Sequence, residues 1–111
     1  MPEIDKATFE ELKQMSGPDF INELIDAFLE DAPHMIQNMQ TAVTVGDEAS
    51  FRRNAHSLKS NAYTFGATEL GRLAKELEIM GKENDLEVGN RLEDLKQAFA
   101  KVVQELKGLR L

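Results

Sequence analysis

Cysteine and tryptophan are absent from this chain, tyrosine occurs once and proline three times in 111 residues. Without cysteine there can be no disulfide, thiolate nucleophile or zinc–thiolate site, which fits a reducing cytoplasm. No apolar run approaches the ~18 residues of a membrane span. Met1 to Glu10 lacks the basic start and apolar centre of a signal peptide. A soluble cytoplasmic protein with no membrane insertion is the expectation. One more absence is local. From Ala49 to Thr68 there is no Asp or Glu, although 20 acids in 111 residues would put about four in such a window if charge were scattered.

The chain as a whole is acidic, with a net charge of −7 and a pI near 4.8. Most of its surface should repel a phosphate backbone, so no nucleic-acid partner is expected. Hydrophobic content of 41% with 30% charged residues is ordinary for a folded domain. The length suits one domain, residues 1–111.

Apolar residues recur with helical period throughout, which predicts an all-α fold. A short amphipathic helix from about Asp5 to Met15 ends at Ser16-Gly17-Pro18. Asp19 is the expected N-cap of a second helix with Phe20, Leu24, Ala27 and Phe28 as its stripe, widened by Ile21 and Ile25. Pro33 predicts a kink or restart near Asp31, before Met35, Met39 and Ala42 resume the buried face as far as Gly46. Asp47 caps a third helix carrying Phe51, Ala55, Leu58, Ala62 and Phe65, ended by Gly66. A fourth starts at Thr68, with Leu70, Leu73, Ala74, Leu77 and Met80 on one side and Gly81 as terminator. A fifth runs from about Asp85 to Lys107 with Val88, Leu92, Leu95, Phe99, Val102, Leu106 and Leu109. Short connections favour an antiparallel four-helix bundle with a short extra N-terminal helix.

His56 lies inside the acid-free window, beside the buried Ala55 but off the core line, so it should be at least partly exposed. Arg52, Arg53, Lys59 and Ser60 stand one turn before or after it, where side chains on a helix surface meet. A neutral imidazole is a good nucleophile near pH 7, and nearby cations could stabilise the oxygens of a transferred phosphoryl group. From spacing alone, an exposed helical histidine is more often a plain surface residue.

The stretch Ala55-His56-Ser57-Leu58-Lys59-Ser60-Asn61-Ala62-Tyr63-Thr64-Phe65-Gly66-Ala67 resembles the signature of histidine-containing phosphotransfer (HPt) domains. It has a lysine three residues after the histidine, a small residue four after and a glycine ten after. Phe28 to Pro33 and Leu70 to Glu78 are also similar to the family, so the resemblance covers nearly the whole chain. It implies that His56 accepts a phosphoryl group from a receiver aspartate and passes it to another, with Lys59 contacting the phosphoryl group. Ser60, where the family usually has glycine, and Gly66 would leave room for the docking receiver. Arg52, Arg53, Tyr63 and Lys75 complete the expected docking surface. The implied partners are receiver domains of response regulators or hybrid sensor kinases. They would supply the Mg²⁺, so no intrinsic cofactor is expected and the chain, a monomer, need not be an enzyme by itself. At Glu78 many members have glutamine, while the related domains of chemotaxis kinases have a glutamate that hydrogen-bonds the ring. If the third and fourth helices are antiparallel neighbours, Glu78 could accept from the Nδ1–H of His56 and leave Nε2 free. The other reading is that it solvates the end of its helix.

Other chemistry is poorly supported. Asp31-Ala32-Pro33-His34 has a carboxylate-x-x-histidine spacing, but Pro33 spoils it and no second such motif exists, so no metal site is expected. There is no glycine-rich phosphate loop. Two alternatives to the phosphocarrier are an adaptor that binds a receiver or kinase without being phosphorylated, and the dimerisation domain of a sensor kinase.

Overall fold

The computed structural model describes residues 3–111. Its helices are α1 (Lys6–Ser16), α2 (Pro18–Val45), α3 (Glu48–Thr64), α4 (Thr68–Lys82) and α5 (Arg91–Leu109), and no strand occurs among the described residues. Local chemistry sets several of the starts. The Asp5 carboxylate accepts from the Thr8 backbone N–H at 3.2 Å, and the Asp47 carboxylate from that of Ser50 at 3.1 Å. Each satisfies a donor that the first turn of a helix leaves unpaired.

Apolar stripes from all five helices meet in one core. Phe28 of α2 is its aromatic centre, with ring centroids 5.0 Å from Phe65 and 5.9 Å, edge-on, from Phe99 of α5. α2 runs the length of the molecule beside α3 and α5, and α1 folds back on α2 and α3. Residues at both ends of the described segment are held by side chains. The Glu105 carboxylate accepts from the backbone N–H groups of Glu3 and Ile4, and Asn22 exchanges two hydrogen bonds with the backbone of Leu111. Among the described residues no helix is long and apolar enough to cross a membrane.

Several expectations are corrected. α2 begins at Pro18, not after an Asp19 cap, because proline's fixed φ and missing N–H suit the first helical position; Asp19 lies in the first turn. The buried stripe is Ile21, Ile25, Phe28, Ala32, Ile36 and Met39, while Phe20 and Ala27 face solvent. α2 also continues through Pro33 without a restart. An interior proline costs about 3 kcal/mol. Burying large apolar side chains on the flanking turns returns ~1.5–3 kcal/mol each, and a restart would swing half the stripe off the core. α5 starts six residues later than expected, at Arg91. Asn84 and Gly89 adopt positive φ in the connection, and the Asp85 carboxylate accepts from the Glu87 N–H at 3.0 Å, so that acid builds a turn instead of a helix start. Val88 still reaches the core from this loop.

Candidate functional site

The most extensive helix–helix contact is between α3 and α4, and small residues of α4 explain it. A Cβ on Gly81 would stand 3.1 Å from the Cβ of Arg52 and 3.2 Å from its Cα; one on Gly71 would stand 2.8 Å from the Tyr63 ring. With Arg52 against Gly81, His56 against Glu78 and Tyr63 against Gly71, the helices are antiparallel. Gly81 therefore does not end α4, which runs on to Lys82; it lets α3 approach.

Glu78 is the one buried charged side chain among the described residues. Its Oε2 lies 2.5 Å from His56 Nδ1, and its Oε1 accepts from Lys59 Nζ at 2.6 Å. Burial raises the pKa of this carboxyl and is the largest single influence. The hydrogen bonds from Lys59 and His56 and the charges of both together outweigh it, and Glu78 titrates below the usual carboxylate value. It is therefore ionised at neutral pH and can only accept. Nδ1 must carry the proton, which leaves the lone pair of a neutral ring on Nε2. The His56 side chain is 59% exposed against 5% for Glu78 and 23% for Lys59. The nucleophilic ring thus stands at the surface while the groups that orient it lie beneath. The carboxylate missing from the acid-free window of α3 is supplied by α4.

An open concavity of about 390 Å³ adjoins the ring, lined by Arg52, Arg53, His56, Ser57, Glu78 and Lys82. Arg52 and Arg53 were expected there. Ser57 and Lys82 were not, although Lys82 follows Glu78 by one helical turn; taking Gly81 as a terminator hid it. Ser60 is exposed one turn after His56 and Tyr63 is partly exposed two turns after. Lys75 is exposed on α4 one turn before Glu78, outside the concavity. Gly66 is not on this face. It is buried with φ +81°, its carbonyl accepts from the Asp5 N–H at 2.8 Å, and a Cβ there would lie 2.8 Å from the Asp5 carbonyl oxygen. Its missing side chain makes room for the segment that starts α1, not for a docking partner. Among the described residues no group of three or more His, Asp or Glu side chains is placed to hold a metal ion.

The sequence matches the family described as "Hpt domain" over residues 23–109. No curated protein matches. The structure is similar to that of histidine-containing phosphotransfer protein B (HptB) from Pseudomonas aeruginosa PAO1, with a TM-score of 0.88 and 27% identity, covering 98% of this chain and 95% of that one. It also shares its fold with the HPT domain of a Shewanella sensor hybrid histidine kinase, with a TM-score of 0.76 and 19% identity over 96% and 92% of the two chains. An exposed, oriented imidazole on an all-helical bundle and a sequence match over most of its length lead to one assignment: the chain belongs to the Hpt domain family.

Proposed function

We propose that this protein is a phosphocarrier of a His–Asp phosphorelay in which His56 Nε2 takes a phosphoryl group from a receiver aspartyl phosphate and returns it to a second receiver aspartate. The observation that carries this reading is the Nδ1–Glu78 contact of 2.5 Å, which presents Nε2 as the free nucleophile on an exposed ring. In the forward step the Nε2 lone pair forms the N–P bond while the P–O bond to the aspartate breaks, and the electron pair leaves on the receiver's carboxylate. The Nδ1 proton stays in place, so the ring gains positive charge as the bond forms. Ionised Glu78 already faces that charge and needs no rearrangement to stabilise it. Return of the phosphoryl group reverses each change.

Lys59 acts from the other carboxylate oxygen. Its ammonium offsets the burial of Glu78 and adds positive potential beside the ring. In this reading the Mg²⁺ and acidic pocket that activate transfer come from the receiver. The same reading has the protein working as a monomer.

The test is incubation with a phosphorylated receiver domain, followed by assay for acid-labile, base-stable phosphate on this chain. Label on the wild type and none on His56→Gln is expected. No label on the wild type with any receiver of the same genome, or equal label on His56→Gln, rules the proposal out.

A further inference from the structure

Three cationic side chains beside His56 take no part in the His56–Glu78–Lys59 hydrogen bonds. Arg52, Arg53 and Lys82 line the concavity next to the ring, and none has a carboxylate within ion-pair distance among the described residues. Lys59, by contrast, is engaged by Glu78 at 2.6 Å. That bond uses one of the three donors of its ammonium and holds it against Glu78, so Lys59 reaches an incoming phosphoryl group only with the donors left over and only from that fixed position. Lys59 is thus tied to Glu78; of the cations without an ion pair among the described residues, Lys75 lies outside the concavity, and Arg52, Arg53 and Lys82 lie on the side toward the N-terminus of α3.

Their convergence is built by the fold. Gly81 brings the stem of Arg52 against α4, and Lys82 is the next residue along, so the two groups flank one hollow from opposite helices. Arg53 and the Ser57 hydroxyl add donors from α3, one turn before His56 and one residue after it. Two carboxylates neighbour Arg52, Glu78 in the same hollow and Glu48, one turn back on α3, in an adjoining one, and both stay beyond ion-pair distance of it. A phosphoryl group in flight spreads its charge over three equatorial oxygens, and positioned cations are what such a transition state requires.

We infer that the hollow formed by Arg52, Arg53, Ser57 and Lys82 is a phosphoryl-anion subsite that binds the oxygens of the group entering or leaving His56 Nε2, with Lys82 and Arg52 as its principal ligands. This rests on the phosphocarrier reading and adds to it which side of the ring the group occupies. Lys59 then serves as a positioning residue acting through Glu78. Lys82→Gln and Arg52→Gln replace exposed side chains and leave the His56–Glu78–Lys59 cluster intact.

The experiment uses the full chain and phosphoramidate, a small donor that phosphorylates imidazole with release of ammonia and needs no receiver. Intact mass measured over time gives the second-order rate constant for His56. Lys82→Gln and Arg52→Gln should each lower it about fivefold or more, and the double variant further. Inorganic phosphate should inhibit the wild type more than chloride at matched ionic strength, and the double variant should lose that difference. Circular dichroism and urea midpoints confirm that the variants fold, and Lys82→Glu provides a second, stronger perturbation of the same position. Rate constants within twofold of wild type in all these variants, or phosphate no more inhibitory than chloride, would overturn the subsite. A wild type that a phosphorylated receiver labels normally while the variants keep their phosphoramidate rate sinks this inference alone; a wild type that no receiver labels sinks the phosphocarrier reading beneath it.

Discussion

His56 Nδ1 and Glu78 Oε2 meet at 2.5 Å across the seam between α3 and α4, although 22 residues separate them in the chain. In the proposed mechanism the contact selects the ring nitrogen that reacts and places a negative charge where positive charge develops. It also makes the reactivity of an exposed side chain depend on a buried one.

Glu78→Gln keeps an acceptor oxygen near Nδ1 but removes the charge. Phosphoryl transfer to His56 should slow by about tenfold, equivalent to ~1.4 kcal/mol in the barrier. Rapid-quench measurement at saturating phosphorylated receiver checks this, and an unchanged rate would show that the tautomer alone matters.

Acid should weaken the wild type more than this variant. The carboxyl of Glu78 is held below its ordinary value of 4.5, so its stabilising contribution is present above that value and is lost as pH falls through the lower folded-state value. Asp26, hydrogen-bonded by Arg110, and Glu69, hydrogen-bonded by Arg72, are also lowered, but both are present in each protein. Urea midpoints from pH 6 down to about pH 3 should therefore fall further for wild type than for Glu78→Gln, with the difference developing below 4.5. Parallel curves would mean that Glu78 contributes no such term.

Lys59→Ala should slow transfer at saturating receiver by about tenfold or more while changing receiver affinity by less than about threefold, since Lys59 holds the Glu78 carboxylate that orients the ring and offsets the burial of its charge. Single-turnover rates and a titration with unphosphorylated receiver separate the two effects. Equal losses in both would assign Lys59 to docking instead.

Gly66→Ala should destabilise the fold by more than ~1–2 kcal/mol, because an L residue is strained at φ +81° and its Cβ would press on the Asp5 carbonyl. Transfer by the folded fraction should be unchanged, because Gly66 is remote from the exposed face of His56. A loss of receiver binding with normal stability would restore the docking role first expected of it.

Much of this arrangement could be read from the chain. Helical periodicity and the cap at Asp47 gave five helices, and the missing acids around His56 pointed to the face that carries the site. What escaped depended on how helices meet. Nothing local distinguishes a glycine that ends a helix from one that lets another helix approach, so Gly81 was read as a stop and Lys82 was lost with it. Pro33 was overruled by the burial of Ala32 and Ile36 around it. Gly66 has the spacing of a surface motif, yet the segment that fills the space beside it starts some sixty residues earlier, at Asp5. The Glu78 contact was legible only as a conditional, because it needs an antiparallel α3–α4 pair in one particular register.

The most direct test of the account is ¹⁵N and ³¹P NMR of the histidine-labelled protein after phosphorylation by a receiver. There are only two histidines, so the spectra can be assigned with His34→Gln and His56→Gln. The prediction is a phosphorus coupling to Nε2 of His56, with its Nδ1 still protonated and hydrogen-bonded. A phosphoryl group on Nδ1, on His34, or on no histidine at all would contradict it.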